Sequence, residues 1–235
     1  MDTRIFRSMS YGVYVAGTMD GDRPTGCIVN SIMQITSTPA TVAVSVNHDN
    51  YTNRCIAESG LFSFSILAED SDPGLIGGFG FRNGKDVDKF EGVDHEVAAG
   101  CPVVKDACGY VVCRVINSME TATHTVFLGE VIDGAIYDGS RKPMTYAYYH
   151  QVVKGKSPKN APTYLPEEDI VSDKTKVAES TEQKTSEPQA MVAEGNKPAH
   201  WKCQICGYVY EGEELPADFH CPWCKQSAEN FRKEL

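Results

Sequence analysis

The sequence predicts a mainly β protein with three parts: a β-barrel domain, a polar tether and a small cysteine-rich domain. Short β-rich runs separated by turn signals fill residues 1–155. Apolar residues become sparse over 156–198, where Ser, Thr, Glu, Lys, Gln and Pro predominate. Four of the nine cysteines then fall within 199–235. A chain of 235 residues is long enough for one sizeable domain and a second small one.

The first domain reads as many strands and few helices, a pattern typical of a closed barrel. The segment Ile5 to Gly17 alternates apolar residues and is expected to be a strand. Asp20-Gly21 predicts a hairpin turn, because glycine accepts positive φ. The main strands are rich in Val, Ile, Phe and Tyr, and they are Gly12–Thr18, Thr41–Val46, Leu61–Leu67, Tyr110–Ile116 and Val126–Ile132.

One segment of the first domain clearly predicts a helix, Tyr51–Ser59. Asn50 or Thr52 can cap its start, and Gly60 can end it.

The tether has a composition that cannot bury enough apolar surface to fold by itself. We expect an extended tail over 156–171, lying on the first domain, and a flexible linker over 172–198. Such a linker would let the small domain swing between docking positions.

Charge and hydropathy exclude two classes of partner. The formal net charge of -10 is opposite to what phosphate binding needs, which argues against nucleic acid. No run of about 18 apolar residues exists, so no membrane span is expected. The N-terminus lacks a small-residue cleavage site, and nine cysteines form no disulfide framework. We therefore expect a cytoplasmic protein in a reducing compartment.

The C-terminal cysteines form two Cys-x-x-Cys pairs, Cys203-Gln-Ile-Cys206 and Cys221-Pro-Trp-Cys224. Four thiolates at this spacing can close a tetrahedral site around zinc or iron, and the spacing alone leaves both metals open. A dense set of aromatic residues around the pairs can supply a small core: Trp201, Tyr208, Tyr210, Trp223 and Phe231.

The run Cys203 to Tyr210 followed by Cys221 to Cys224 resembles rubredoxin, whose pattern is Cys-x-x-Cys-Gly-Tyr-x-Tyr and then Cys-Pro-x-Cys. The resemblance covers residues 199–235 and implies a one-electron iron site. The loop between the pairs is short, as in the rubredoxin-like domains of rubrerythrins, and Lys225 stands where a glycine usually follows the second pair. If that position has positive φ, lysine costs about 1 kcal/mol relative to glycine. A structural zinc ribbon is the alternative.

Residues 1–155 carry no dinucleotide fingerprint, because Gly77-Gly78-Phe79-Gly80 does not match G-x-G-x-x-G. A series of other motifs, in order along the domain, resembles the flavin reductase family of FMN-binding split barrels. These motifs are Gly26–Ser37, Ser45–Thr52, Phe81–Phe90, His124 and Phe127–Val131. The resemblance implies a split β-barrel that binds FMN and forms a homodimer.

Physical chemistry is consistent with the residues that this resemblance singles out. Asn50 and Thr52 stand at a helix start, where free N–H groups and the helix dipole favour the FMN phosphate. Arg82 and Lys89 are expected as charge partners of phosphate or nicotinamide nucleotide, and His124 as the catalytic residue on the nicotinamide side. The expected flavin contacts beside the strands are Asn30, Ser31, Gln34, Thr36, Ser45 and Asn47. Helix capping and ordinary strand polarity are the alternative roles for these side chains.

The two domains together predict an electron path. A flavin accepts a hydride from NAD(P)H and can release electrons singly, whereas one iron held by four thiolates changes by one electron. The arrangement resembles the high-molecular-weight rubredoxins of anaerobes, which implies delivery of electrons to a flavodiiron protein that reduces oxygen or nitric oxide. Two alternatives remain open: a flavin reductase supplying reduced flavin with a zinc tail, and a non-enzymatic flavin sensor.

Overall fold

The computed structural model of the chain describes residues 3–153, 155 and 200–234. The tether predicted over 156–198 lies outside these residues.

The first domain is built on one seven-stranded antiparallel sheet with the order β2-β1-β5-β8-β9-β4-β3. The two edge strands are not hydrogen-bonded to each other, although only Asn30 and Ser31 separate them along the chain. The barrel is therefore split at this edge. Its strands are β1 (Tyr14–Asp20), β2 (Arg23–Val29), β3 (Ile32–Ser37), β4 (Ala40–Asn47), β5 (Leu61–Ile66), β8 (Gly109–Glu120) and β9 (His124–Ile136), and a separate hairpin is formed by β6 (His95–Ala98) and β7 (Cys101–Val104).

The sequence predicted the main strands at the correct places, with ends displaced by a few residues. The hairpin at Asp20-Gly21 is confirmed: Asp20 pairs with Arg23, and Gly21 has φ of 60°. The expectation of a strand from Ile5 is wrong at its beginning, because Thr3–Ser8 forms a 3-10 helix.

Among the described residues, three α-helices accompany the sheet: α1 (Tyr51–Ser59), α2 (Pro73–Phe81) and α3 (Tyr146–Gln151). The bounds of α1 agree with the prediction, including its cap at Asn50 and its left-handed end at Gly60. The sequence did not predict α2, because its residues Pro-Gly-Leu-Ile-Gly-Gly-Phe-Gly-Phe have no polar face and hence no helical periodicity. Asp72 caps its start and Pro73 fits the first turn.

Two apolar clusters follow from the alternation of side chains along β1. Ala16 points into the barrel, where it joins a core that includes Val44, Phe62 and Phe127. Val15 points outward, where it packs in a second cluster with residues of α2 and α3. The two helices therefore cover the outer face of β1.

The C-terminal module, residues 200–234, is a three-stranded sheet with the order β11-β10-β12. Its strands are β10 (His200–Cys203), β11 (Val209–Tyr210) and β12 (Phe231–Glu234). No helix among the described residues is both long and apolar enough to cross a bilayer.

Candidate metal centre and flavin site

The four predicted cysteine ligands meet at one buried point of the C-terminal module. Their sulfur atoms all lie within 4.8 Å of one another. The Sγ atoms of Cys203 and Cys224 are 3.7 Å apart, and those of Cys206 and Cys221 are 3.5 Å apart. Four sulfurs at about 2.3 Å from a tetrahedral ion would lie about 3.8 Å apart. The geometry therefore fits a four-thiolate metal site.

Each Cys-x-x-Cys pair is held by the same two backbone hydrogen bonds. The N–H of Cys203 donates to Tyr208 O, and the N–H of Gly207 donates to Cys203 O. In the second pair, the N–H of Cys221 donates to Gln226 O and the N–H of Lys225 donates to Cys221 O. The two pairs thus form matching loops, one from each side of the metal position.

The two loops bend at equivalent residues. Gly207 and Lys225 have φ values of 89° and 60°. The condition considered in the sequence analysis, a positive φ at Lys225, is therefore met in the structure. Hydrogen bonds from the thiols of Cys206 and Cys224 hold the pKa of Cys203 well below its usual range.

Aromatic rings pack against this cluster. Tyr208 contacts Phe219, Trp223 and Phe231 with ring centroids 5.3 to 6.4 Å apart. Phe219 also packs against Phe231 at 5.3 Å. The aromatic set predicted from the sequence forms the module's core, together with Phe219, which the sequence analysis did not single out.

A second candidate site lies at the start of α1. The Asn50 side chain accepts a hydrogen bond from the N–H of Thr52 at 3.2 Å, which is the predicted capping role. The hydroxyl of Thr52 is buried and has no hydrogen-bond partner, and the hydroxyl of Thr25 on β2 is in the same state. Buried hydroxyls without partners are rare, because each costs about 1–3 kcal/mol. Both hydroxyls therefore indicate a polar ligand at this place.

Lys89 supplies a buried positive charge to the same region. Its side chain is only 5% exposed, and Nζ donates to Phe79 O at 2.8 Å. Burial lowers its pKa to about 8. Within the described part of the chain, no carboxylate forms an ion pair with Lys89.

Gly84 and Cys27 show that the hydroxyls, the lysine and the helix start are neighbours. A Cβ atom on Gly84 would lie 2.5 Å from Thr25 Oγ1 and 3.8 Å from Lys89 Cδ. Burial raises the pKa of the Cys27 thiol, an effect that the charge of Lys89 and the neighbouring Thr52 and Asn50 side chains oppose. Two orphan hydroxyls, a helix start and a buried ammonium together fit a phosphate group. This set, with Thr25, Thr52 and Lys89 as its members, is the anion cluster.

Other predicted flavin residues lie on the outer face of the sheet beside the anion cluster. Asn47 pairs with His124 across β4 and β9, so both side chains share one face with Ser45. The N–H of Ser45 donates to Ser31 O, and the N–H of Asn50 donates to Asn47 O. This face of the sheet therefore ends next to the start of α1.

Two further side chains complete the description of this face. Asn30 is buried and accepts a hydrogen bond from the Ser31 hydroxyl at 3.0 Å. His124 is half-buried, with Nδ1 2.8 Å from Thr123 Oγ1. Desolvation and then the charge of His48 lower the pKa of His124, so the ring is neutral at neutral pH.

Gln34 and Thr36 lie apart from the other predicted residues, at the far end of β3. Thr36 is roughly 15 Å along the strand from Ser31. The Gln34 amide donates to Thr36 O, and the Thr36 hydroxyl lies 2.6 Å from that of Thr41. Both side chains stabilise the β3–β4 turn. Arg82 caps the end of α2, close enough to Lys89 to lower its pKa further.

Sequence reasoning missed Thr25, Cys27 and Gly84. Cys27 gave no signal in the sequence, since an isolated cysteine has no informative spacing. The one signal available was alternation along β2, which places Thr25 and Cys27 on the same face of the strand.

Comparison with known proteins identifies both parts of the chain. Residues 6–155 match the flavin reductase like domain. The chain belongs to the flavin reductase-like family. Residues 201–232 match the rubrerythrin, rubredoxin-like domain. The prediction of a flavin reductase-like split barrel joined to a rubredoxin-like module is therefore confirmed.

Three relatives of this flavin reductase-like chain show how far the similarity extends. A high molecular weight rubredoxin from Moorella thermoacetica is 36% identical and is aligned over 99% of this chain and 100% of its own. A ferric-chelate reductase (NAD(P)H) from Archaeoglobus fulgidus is 36% identical over 70% of this chain and 98% of its own. The solved structure of an NADH:FAD oxidoreductase from Streptomyces globisporus, 26% identical, superposes with a TM-score of 0.56 over 60% of this chain and 84% of its own.

Proposed function

We propose that this protein takes hydride from NAD(P)H onto FMN and passes single electrons through a rubredoxin-type iron to a protein acceptor. The observation that carries the proposal is the presence, in one chain, of a four-thiolate site and a buried anion cluster. The four cysteines and the anion cluster lie among the described residues, and the family of each domain agrees with the chemistry proposed for its site.

The anion cluster supports FMN as the flavin. A single group of donors, formed by the start of α1, Thr25, Thr52 and Lys89, matches one terminal phosphate. The polar outer face of β4 and β9, which carries Ser45, Asn47 and His124, would hold the ring. When bound, a flavin accepts two electrons as hydride and can release them one at a time.

The protein's own residues would orient and shield the reactants. Lys89 and the start of α1 would fix the phosphate end, and thereby the register of the ring on the sheet. His124 is neutral at neutral pH, so it can hold the nicotinamide by a hydrogen bond without adding charge. The four thiolates of the C-terminal module can hold iron, which changes by one electron. Iron is favoured because this site would receive electrons from a two-electron cofactor.

Several features support the wider setting of the proposal. Exposed apolar side chains on β3 and β8 favour a homodimer: Met33, Ile35, Ile116 and Met119 are 49 to 64% exposed. All nine cysteines are free, which favours a reducing cytoplasm. We propose a flavodiiron oxygen or nitric oxide reductase as the acceptor, on the resemblance of the whole chain to high-molecular-weight rubredoxins.

A second candidate function is direct reduction of small acceptors by the flavin domain, with a structural zinc in the C-terminal module. Similarity to a ferric-chelate reductase over 70% of the chain favours this alternative. In that case the four cysteines would contribute only to folding.

Replacement of Cys203 and Cys206 by Ser separates the two candidates. The double variant should lose its metal and unfold the module, because so small a domain has little core without the metal. The flavin domain should keep its flavin and still be bleached by NAD(P)H. Oxidation of NAD(P)H that depends on a flavodiiron protein should be lost, and this rate is the measurement.

Cys108→Ser is the matched control, because this cysteine lies in the flavin domain, where its thiol donates to Arg141 O, a bond that a serine hydroxyl can also make. It should leave the metal content and the acceptor-dependent rate unchanged. Turnover of the Cys203→Ser, Cys206→Ser variant at the wild-type rate would remove the C-terminal module from the electron path and favour the second candidate.

A further inference from the structure

Helix α2 contains more glycine than a stable helix normally has. Four of its nine residues are glycine, and each costs about 1 kcal/mol relative to alanine in a helix interior. The surroundings of these glycines differ. Gly78 has nothing within 4 Å of the position that a Cβ atom would occupy, and Gly80 has only Ile28, at 3.5 Å.

Gly77 is different, because the C-terminal module lies directly against it. A Cβ atom on Gly77 would lie 2.7 Å from Trp223 Cβ and still closer to the Trp223 carbonyl group. Real Cβ atoms do not approach other atoms this closely, and the Trp223 backbone cannot rotate away as a flexible side chain can. Gly77 is buried by this contact. The lack of a side chain at Gly77 therefore allows the C-terminal module to approach α2 this closely.

A second contact on the same helix points to the same partner. Phe81, the last residue of α2, packs against the core cluster of the C-terminal module, which contains Cys203, Cys206, Cys221 and Cys224. Trp223 lies between two of these ligands, Cys221 and Cys224. The face of the module that meets α2 is thus the second metal-binding loop itself.

We propose that α2 is the docking surface for the C-terminal module of the same chain, and that Gly77 is the residue that makes close docking possible. The same helix supports a role in electron delivery, since Phe79 O accepts the hydrogen bond from Lys89 of the anion cluster. Helix α2 therefore contacts both the second metal loop and a residue assigned to the flavin phosphate. This consequence rests on the proposed function, whereas the docking surface does not.

The pair Gly77→Ala and Gly78→Ala tests the docking surface in the full-length, flavin-loaded and metal-loaded protein. Both changes favour the helix equally, so only the contact with Trp223 distinguishes them. Amide hydrogen exchange of the peptide that spans α2 is the measurement. We expect exchange at least threefold faster in Gly77→Ala than in wild type, and unchanged or slower exchange in Gly78→Ala. Flavin and metal contents should be normal in both.

Equal exchange in the two variants would overturn the proposal. If Gly77→Ala loses flavin, Phe81→Ala replaces it, with the same expectation of faster exchange in α2 and the same outcome against it. Hydrogen exchange reports the contact and not electron transfer, so its result is independent of the turnover measured for the cysteine variants. A positive exchange result together with unimpaired turnover of the Cys203→Ser, Cys206→Ser variant would keep the docking surface and reject the proposed electron path.

Discussion

Lys225 is the residue of the metal site that departs from the pattern expected by symmetry. It has φ of 60° and donates to Cys221 O, in the same way that Gly207, with φ of 89°, donates to Cys203 O. A side chain at positive φ brings Cβ close to the following carbonyl oxygen, at a cost of about 1 kcal/mol. The chain accepts this cost because metal binding contributes on the order of 10 kcal/mol to such a domain.

Lys225→Gly should therefore stabilise the C-terminal module by about 1 kcal/mol. The measurement is the guanidinium concentration at which the metal–thiolate absorption is half lost. Lys225→Ala shortens the side chain but keeps Cβ, so its midpoint should stay near that of wild type. An equal gain for alanine and glycine would show that the lysine side chain, and not its backbone conformation, carries the cost.

Lys89 is a buried ammonium whose pKa is about 8 in the flavin-free chain. Burial disfavours its charged form, and a bound phosphate would favour it, so binding of FMN raises this pKa. Below pH 8 the free protein already carries the proton and affinity is full. Above pH 8 binding must also take up a proton, and affinity should decline.

We therefore expect FMN affinity to fall by up to about tenfold per pH unit between about pH 8 and about pH 9.5. Lys89→Met should bind FMN more weakly at pH 7 and show no such decline, and fluorescence titration of FMN against pH measures both. Lys85→Met, at an exposed position of the same loop, is the control and should behave as wild type. A wild-type affinity that stays flat across this range would separate Lys89 from the phosphate.

The start of α1 is the element on which the proposed flavin site depends most. Strand β4 ends at Asn47, and the N–H of Asn50 donates to its carbonyl oxygen, so the helix starts at the end of the sheet. Thr52 in this first turn is 1% exposed, and its hydroxyl is unpaired. A helix start with an unused buried hydroxyl is suited to an anion.

Thr52→Val should weaken FMN binding by about 10- to 150-fold, the equivalent of a hydrogen bond to a charged group. The stability of the flavin-free protein should not fall, since the change removes a buried polar atom that has no partner. Thr18→Val should instead lower the stability of the protein and leave FMN affinity unchanged, because the buried Thr18 hydroxyl donates to Leu61 O at 2.8 Å. FMN titration and thermal unfolding of both variants provide the comparison. Unchanged FMN affinity of Thr52→Val would place the phosphate elsewhere.

At the scale of the whole molecule, the contact between α2 and the C-terminal module joins the two sites. Alone, the first domain would indicate a flavin reductase, and the C-terminal module would indicate a metal ribbon. Together they join a flavin reductase-like domain and a four-cysteine site in one chain.

The sequence by itself determined most of the elements and the whole metal site. Strands and α1 follow from local alternation and capping, and four cysteines in two short loops can meet only around one point. Long-range neighbours could not be read in this way. Thr25 on β2 meets Gly84 and Lys89 only because the barrel brings them together.

Only the tertiary structure decided the place of α2 and the use of Gly77. An apolar, glycine-rich segment has neither helical nor strand periodicity, so its conformation depends on what packs on both of its sides. Gln34 and Thr36 also show that a sequence motif does not determine which partners a side chain has in the folded chain. Their motif resembles flavin contacts, yet their side chains form hydrogen bonds within the β3–β4 turn. Sequence pattern fixes what a residue can bond, whereas the distance to its partners is a property of the folded chain.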